Sequence, residues 1–211
     1  MQKPVYRADC RACPRLAGFL DQVKADHPAY FCKPVPPFGA AAAPLVIVGL
    51  APGMHGANRT GRPFTGDHAG HLLYATLAKF GFASGSFSPD GNDDLRLSGC
   101  RISNAVKCLP PDNKPDTAEI TRCNPFLAAD LARPGMRVVL ALGLIAHGAA
   151  LSALGLKKSH CKFVHAAEHA LPGGVTLVDS YHCSRYNTNT RRLTPEMFEA
   201  VFARARALVD R

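Results

Sequence analysis

The sequence lacks the apolar runs that place a chain in or across a membrane. No stretch of its 211 residues approaches the roughly 18 consecutive apolar residues of a membrane span, and the opening segment MQKPVYRADC has no apolar signal-peptide core. We therefore expect a cytoplasmic protein without a membrane partner. With 47% apolar residues, a chain of this length is expected to form one globular domain with a sizeable core.

Two common phosphate-binding motifs are missing as well. The sequence contains neither G-x-G-x-x-G nor a glycine-rich loop ending in Gly-Lys-Ser/Thr, so it predicts neither dinucleotide binding nor a P-loop. Acidic residues are fewer than basic ones. The chain has 16 Asp and Glu but 25 Lys and Arg, which gives a formal net charge of +9. This excess favours a polyanionic partner such as nucleic acid, although ordinary solubility also accounts for scattered basic residues.

A disulfide framework is not expected from the eight cysteines, because a reducing compartment keeps thiols reduced. Cys10 and Cys13 form a C-x-x-C pair, and Cys108 and Cys123 form a second, widely spaced pair. Four thiolates can hold zinc or an iron–sulfur cluster, and the unequal spacing favours a cluster over a zinc ribbon. Alternatively, the second pair is buried apolar packing. The remaining cysteines are interpreted as structural or incidental: Cys32, Cys100, Cys161 and Cys183.

Predicted strands alternate with predicted helices along the chain. Strands are predicted at 45–48, 102–108, 137–143 and 175–180, and helices at 15–26, 69–81, 117–131, 144–155 and 195–209. Asp116 with Glu119 resembles a capping box, and Thr194 precedes a proline at a first helical position. This alternation predicts a parallel sheet covered by helices on both faces, with ligands beyond the carboxyl ends of the strands.

The loop GLAPGMHGANRTGRPFTGD at 49–67 follows the first predicted strand and is a candidate site. Gly49, Gly53 and Gly56 permit a sharp turn or close approach of a ligand, and several polar side chains follow them. A glycine- and proline-rich turn between a strand and a helix is also common without any function. The loop alone therefore leaves both interpretations open.

Four blocks in this order resemble the uracil-DNA glycosylase superfamily, and most closely its family-five (type b) members. They are the Cys10–Cys13 pair, the loop at 49–67, NAVKCLPP at 104–111 with Cys123 downstream, and SYHCSRYNTNTRRLTPEMF at 180–198. The resemblance covers nearly the whole chain. It implies a three-layer α/β/α sandwich on a short central parallel sheet, as one domain over 1–211 with an N-terminal arm at 1–40 that contributes cluster ligands.

The resemblance also implies an activity and a cofactor. The activity is excision of uracil and other deaminated bases, such as hypoxanthine, from DNA by a monomeric, monofunctional glycosylase that leaves an abasic site. The cofactor is a [4Fe-4S] cluster, which the resemblance assigns to Cys10, Cys13, Cys108 and Cys123.

The family motifs assign base recognition to residues at three predicted strand ends. Phe64 is expected to stack on the flipped base, Asn104 to read its Watson–Crick edge, and His182 to donate a hydrogen bond to the departing base. Gly53 and Ala51 are assigned to the same substrate-binding surface. Without the motifs, these roles compete with core packing for Phe64, turn capping for Asn104 and a structural role for His182.

Catalysis needs a positioned water and a carboxylate near an oxocarbenium-like sugar. Leu50 and Ala51 can neither activate nor hold a water, although other branches of the family carry an acidic or amide residue in this turn. The next carboxylate in the block is Asp67, which we predict to activate the water or stabilise the sugar cation. A helix N-cap is an equal alternative for Asp67. Asn58 and His55 are further candidates for placing the water.

The segment 184–192 is predicted to contact DNA phosphates and to insert a side chain where the base was. The residues chosen for DNA binding are Arg185, Tyr186, Asn187, Arg191 and Arg192. Cys183 stands where relatives often have proline, and Arg191 where glycine is common.

Two rival functions remain at this point. One is an iron–sulfur nucleic-acid-binding protein without glycosylase activity, which would leave the grouping of Phe64, Asn104 and His182 unexplained. The other is a family-four type glycosylase restricted to uracil, against which the apolar Leu50 argues.

Overall fold

A mixed sheet with helices on both faces forms the fold in the computed structural model, which describes residues 6–211. The strands are β1 (Phe38–Gly39), β2 (Leu45–Gly49), β3 (Ala83–Ser84), β4 (Arg96–Leu97), β5 (Cys100–Asn104), β6 (Val138–Leu142), β7 (Glu168–Ala170) and β8 (Thr176–Ser180). The α-helices are α1 (Pro14–Asp26), α2 (Ala57–Thr60), α3 (His68–Lys79), α4 (Thr117–Leu131), α5 (Leu144–Ala153), α6 (Arg185–Asn189) and α7 (Pro195–Val209). Within residues 6–211, no helix is both long and apolar enough to cross a bilayer.

Six strands make the main sheet, in the order β1-β5-β2-β6-β8-β7. The four inner strands are parallel, as predicted, but β1 and β7 pair antiparallel with their neighbours at the two edges. The prediction of a parallel sheet is therefore right for its centre and incomplete at its edges. Strands of two and three residues are too short to produce a readable apolar pattern.

The alternation of side chains along β2 shows the layers. Leu45 and Ile47 lie in a core with residues of α3 and α7, whereas Val46 and Val48 lie in a second core with residues of α4 and α5. All five residues of the strand are buried, which explains its uninterrupted apolar sequence. The three-layer α/β/α fold is thereby confirmed.

Two predicted helix starts are confirmed by their caps. The backbone N–H of Asp116 donates to Glu119 Oε2 at 2.8 Å before α4. Thr194 Oγ1 accepts the backbone N–H of Met197 at 3.2 Å before α7. These bonds satisfy backbone donors that a helix start otherwise leaves without a partner.

The strand predicted at 102–108 is displaced towards the amino terminus, because β5 ends at Asn104. The chain then turns so that the Lys107 ammonium is buried, where it donates to Asn104 O at 3.1 Å and Asp130 Oδ2 at 3.2 Å. A buried ammonium requires such partners, and the turn after Asn104 supplies them.

The described part of the N-terminal arm packs on the main fold, while its first five residues lie outside the described range. Leu16 of α1 shares a core cluster with Val106 and Cys123. Arg15 adds an ion pair to Glu119 of α4, with Nη2 and Oε2 2.7 Å apart. The proline-rich segment 34–44 that follows contributes edge strand β1.

Candidate active site

A cleft of about 610 Å³ opens beyond the carboxyl ends of β2, β5 and β8. The loop after β2, the last residue of β5 and the segment after β8 all contribute to its wall. Ten of the lining residues were singled out from the sequence: Leu50, Ala51, Gly53, His55, Gly56, Phe64, Asp67, Asn104, His182 and Arg185. Parallel strand ends therefore bring together residues that are far apart in the sequence.

Gly49 allows the amide and the aromatic ring of the cleft to meet at the end of β2. A Cβ atom at Gly49 would lie 2.5 Å from Asn104 Oδ1 and 2.9 Å from Phe64 Cζ. Any larger residue would displace one of these groups. The glycine that ends the apolar run is thus required by close approach.

Phe64 is held in a conformation that phenylalanine rarely adopts. Its φ of 56° lies in the left-handed region, and the side chain is only 7% exposed. The hydroxyl of Tyr74 donates to Pro63 O at 2.6 Å and fixes the preceding residue. The Phe64 ring lies 5.9 Å from that of His182, with an angle of 27° between the planes. Strained backbone of this kind is concentrated at ligand-binding sites.

His182 is electrically neutral at physiological pH. Burial lowers the pKa of its imidazole to about 4, so one ring nitrogen keeps a proton to donate and the other accepts. The Asn187 side chain donates from Nδ2 to the backbone carbonyl of His182 at 2.8 Å. This bond fixes the backbone that carries the imidazole.

The two carboxylate oxygens of Asp67 have different environments: one caps helix α3 and the other faces the cleft. Oδ1 accepts the backbone N–H of Gly70 at 3.0 Å and caps α3. Oδ2 faces the glycine turn, since Cβ atoms built at Gly53 and Gly56 would lie 3.7 Å and 3.0 Å from it. Burial raises the pKa of Asp67, against the effect of its backbone hydrogen bonds. The predicted capping role is present, and it leaves Oδ2 directed at the cleft.

The two further candidates for water placement lie in different places. His55 lines the cleft, with Nδ1 2.9 Å from the hydroxyl of Tyr30. Asn58 is fully buried and outside the cleft lining, and its Nδ2 donates to Cys32 Sγ at 3.5 Å. The catalytic role predicted for Asn58 stays a prediction, and its position offers no direct access to a substrate.

The segment predicted to contact DNA begins with helix α6. Ser184 Oγ accepts the backbone N–H of Asn187 at 3.4 Å and caps this helix. Arg185 lies at the cleft rim, and Tyr186 is 71% exposed. Asn187 is instead engaged with the protein through His182.

Two departures from the family pattern have local structural explanations. Arg191 has a φ of 56°, the left-handed conformation in which glycine is unstrained. Cys183 is fully buried, and its thiol donates to Ala69 O at 3.6 Å at the start of α3. Arg192 stacks on Tyr181, with its guanidinium 4.5 Å from the ring centre.

The second candidate site is a cavity that all four paired cysteines line: Cys10, Cys13, Cys108 and Cys123. Burial, together with the neighbouring thiols, raises the pKa of Cys108 to about 12. Cys123 Sγ accepts the backbone N–H of Lys107 at 3.4 Å. Cys13, Cys108 and Cys123 also contact the apolar cluster of Leu16 and Val106, so apolar packing remains an alternative. Cys100 and Cys183 lie in the apolar core of the sheet.

Sequence reasoning missed the polar residues that support the site. The Lys107 ammonium holds the backbone carbonyl of Asn104 and is itself paired with Asp130. His68 lines the cleft, and its Nε2 lies 3.0 Å from Thr188 Oγ1 of α6. Lys107 gave one usable signal, since it is a lone charge in the apolar segment that follows Asn104.

Comparison with known proteins identifies the family of the chain. A family model described as "Uracil DNA glycosylase superfamily" matches residues 36–206. The chain is 47% identical over 205 residues to a type-5 uracil-DNA glycosylase of Thermus thermophilus. The alignment covers 94% of this chain and 93% of the relative.

Two further relatives show that the chain aligns over more of its length with a type-5 enzyme than with a type-4 enzyme. A type-5 uracil-DNA glycosylase of Pyrobaculum aerophilum is 38% identical, with 94% of this chain and 88% of the relative aligned. A type-4 enzyme of the same organism is 34% identical, but only over 57% of this chain and 55% of the relative. The protein described here therefore belongs to the uracil-DNA glycosylase superfamily and resembles its type-5 members along almost its entire length.

Proposed function

We propose that the protein is a DNA glycosylase that flips uracil and other deaminated bases out of DNA and hydrolyses their N-glycosidic bond. The observation that carries this proposal is the single cleft containing an aromatic ring, an amide, a neutral imidazole and a carboxylate oxygen. The type-5 relatives are uracil-DNA glycosylases, and this chain is an enzyme of the same kind. The product is an abasic site.

Base recognition is assigned to Phe64 and Asn104. The ring supplies a face for stacking, and the amide offers both a donor and an acceptor to a pyrimidine edge. Gly49 keeps the two groups adjacent, because a side chain there would separate them. The small residues Gly53 and Ala51 leave room for the base.

Departure of the base is assigned to His182. As the glycosidic bond breaks, negative charge develops on the base, and a fixed N–H donor stabilises that charge more strongly in a cleft than in water. A neutral donor suits this task, because a charged imidazolium would first have to be desolvated. The low pKa of His182 supplies the neutral form.

Attack by water is assigned to the cleft-facing Oδ2 of Asp67. The water oxygen bonds to the sugar carbon as the N-glycosidic bond breaks and the base leaves with the bonding electrons. The proton of the water passes to the carboxylate and from there to the departing base, so the products are the abasic sugar and the neutral free base. An ionised carboxylate near the sugar orients this water and stabilises the positive charge that develops on the sugar.

An Asp67→Asn variant separates the two roles of this side chain. Its amide oxygen preserves a hydrogen-bond acceptor for α3, so thermal stability should change little while uracil excision falls. Excision at the parental rate with intact DNA affinity would contradict the catalytic role.

The four paired cysteines are proposed to hold a [4Fe-4S] cluster. Four sulfur donors around one cavity fit such a group, and the wide spacing of Cys108 and Cys123 is unlike that of a zinc ribbon. When bound, the cluster supplies a rigid link between the arm, the chain after β5 and α4. Iron and acid-labile sulfide in the purified protein would support this assignment, and zinc alone would overturn it.

DNA contact is assigned to Arg185, Tyr186 and Arg191, with the net charge of +9 favouring the phosphates, whereas the amide of Asn187 is assigned to holding His182. The exposed Tyr186 is the candidate for the space that the flipped base vacates. We expect one monomer to act on each lesion.

Purified protein incubated with single-lesion duplexes tests the activity. Alkali-sensitive breaks at uracil are expected, and breaks at hypoxanthine would extend the substrate class to deaminated purines. Breaks at uracil alone would favour the family-four type of selectivity. Binding without breaks at either base would favour the rival nucleic-acid-binding protein.

A further inference from the structure

A cluster of ionisable side chains that takes no part in the proposed excision lies between α5, β7 and β8. It consists of His147, His169 and Asp179, and one potential ligand atom from each lies within 4.8 Å of the others. His147 Nδ1 is 2.7 Å from Asp179 Oδ1, and His169 Nε2 is 3.0 Å from Asp179 Oδ2. His147 and Asp179 are almost fully buried, whereas His169 reaches the surface.

The Nε2 atom of His147, on the side of the ring away from Asp179, has a partner of the kind found in metal-binding histidines. Its Nε2 lies 3.1 Å from the backbone carbonyl of Cys161, which can only accept, so Nε2 carries a proton. Histidines that bind metals through one nitrogen usually donate from the other to a carbonyl or carboxylate. Nδ1, directed at the centre of the cluster, is then the nitrogen available to an ion.

Asp179 is also held from outside the cluster. The backbone N–H of Val164 donates to its Oδ2 at 3.4 Å, and the carboxylate lies on the buried strand β8. A carboxylate and two imidazoles from three different elements thus bring their ligand atoms within 4.8 Å of one another. The chain segment 161–164 closes the cluster on the side of the Cys161 carbonyl.

We propose that His147, His169 and Asp179 form a binding site for a divalent transition-metal ion of the zinc type. Two imidazole nitrogens and one carboxylate oxygen match the ligand preference of Zn²⁺, with a water as the fourth ligand. Zinc ligands at roughly 2.0–2.1 Å from the ion lie slightly farther apart than hydrogen-bonded atoms, so each of the two hydrogen-bonded His–Asp pairs would separate by a few tenths of an ångström on binding.

The site would stiffen the strand that leads to His182. Asp179 belongs to β8, and the ion would join this strand to edge strand β7 and to α5. The assignment rests on the His–Asp–His geometry and stands independently of the excision chemistry.

Calorimetric titration of the chelator-treated full-length protein with Zn²⁺ tests the site. We expect the wild type to bind one more equivalent of Zn²⁺ than His169→Gln. His160→Gln is the matched control, since His160 is an exposed histidine outside the cluster. Iron, sulfide and thiol contents should be equal in all three proteins.

Thermal melting provides a second readout. Zinc should raise the Tm of the wild type and of His160→Gln, but not that of His169→Gln. X-ray absorption of the added ion should show nitrogen and oxygen neighbours without sulfur, even if His169→Gln folds poorly. Equal zinc binding by wild type and His169→Gln, or sulfur around the ion, would leave only a structural hydrogen-bond network and overturn the proposal.

Discussion

The ends of β5 and β8 both carry a proposed base-contacting residue, but they are supported in opposite ways. Behind Asn104, the buried charges of Lys107, Asp130 and Arg101 form a network with Ser103. Behind His182, the support is one neutral hydrogen bond from Asn187, followed by the largely exposed helix α6. The group that reads the base is thus built into the core, whereas the group that assists its departure depends on the segment proposed to contact DNA.

The residue proposed to recognise the base is therefore held more rigidly than the residue proposed to assist bond cleavage. A buried ion network tolerates little movement, because each displaced charge would lose its partners in a low-dielectric interior. A segment held by neutral hydrogen bonds can adjust when DNA binds. We infer that DNA contact influences the position of His182 more than that of Asn104.

The largest effect is expected from breaking the network behind β5. Asp130→Ala leaves the Lys107 ammonium and the Arg101 guanidinium without their carboxylate, which should lower the free energy of unfolding by about 3–5 kcal/mol. Urea denaturation measures this loss. Glu168→Ala is the control, because the exposed Glu168–Arg204 pair should contribute no more than about 1 kcal/mol. Equal losses in both variants would contradict the distinction between the two strand ends.

His182→Ala tests the β8 end by its effect on rate. Removing one preorganised donor should reduce single-turnover excision of uracil by about 10²–10³-fold, with DNA affinity and Tm nearly unchanged. Phe64→Leu is an informative comparison, since it removes stacking and should weaken binding of the flipped base as well. A His182→Ala variant with nearly full activity would remove the proposed donor.

Much of this architecture is readable in the sequence because it depends on local patterns. The uninterrupted apolar residues of β2, the Asp116 capping box and the Thr194–Pro195 start each reflect nearby physical requirements, and each is confirmed. The edge strands and the network around Lys107 depend on residues distant in sequence. No local periodicity reports that Asp130 of α4 will meet Lys107.

The site shows the same division between local and distant information. The motifs placed Phe64, Asp67, Asn104 and His182 in one cleft, because three parallel strands end at one edge of the sheet. They did not indicate that Asp67 would present its second oxygen to the turn, since that direction depends on the backbone of α3. The buried position of Asn58 likewise depends on tertiary packing.

The pH dependence of the free energy of unfolding tests the pKa of His182, which follows strand β8. Burial depresses the pKa of His182 to about 4, below the roughly 6.5 of an unfolded histidine. Between these values the unfolded chain binds the additional proton, so this group makes unfolding easier as pH falls from about 6.5 towards 4.

The contribution of His182 has an upper limit of about 1.4 kcal/mol per pH unit, which corresponds to one proton. Urea denaturation of wild type and His182→Asn across this range isolates it. The wild type should lose stability more steeply than the variant. Parallel curves would mean that His182 titrates normally in the folded protein.

A smaller effect is expected from Asn187→Ala, which deletes the single bond to the His182 carbonyl. A hydrogen bond of this kind contributes about 0.5–1.5 kcal/mol, which corresponds to a roughly 2–13-fold loss of excision rate if His182 becomes less well placed. Asn189→Ala is the matched control, because Asn189 is an exposed residue of the same helix. If Asn187→Ala reduced DNA affinity and left the single-turnover rate unchanged, its role would be DNA contact alone.

The smallest effect concerns Arg191, where strain and DNA contact oppose each other. Its left-handed φ costs an L-residue about 1–2 kcal/mol, and glycine at this position costs roughly 0.5–1 kcal/mol in unfolded-state entropy, so Arg191→Gly should be more stable by about 0.5–1 kcal/mol. The same variant should bind DNA more weakly, with a salt-dependence slope smaller by about 0.9 if one phosphate contact is lost. Arg192→Gly is the counterpart, since it removes stacking on Tyr181 without relieving left-handed strain and should be less stable. A gain in stability at Arg191 together with a shallower salt dependence would show that this end of the sheet accepts strain to hold a cation for DNA, unlike the end of β5, whose charges face inward.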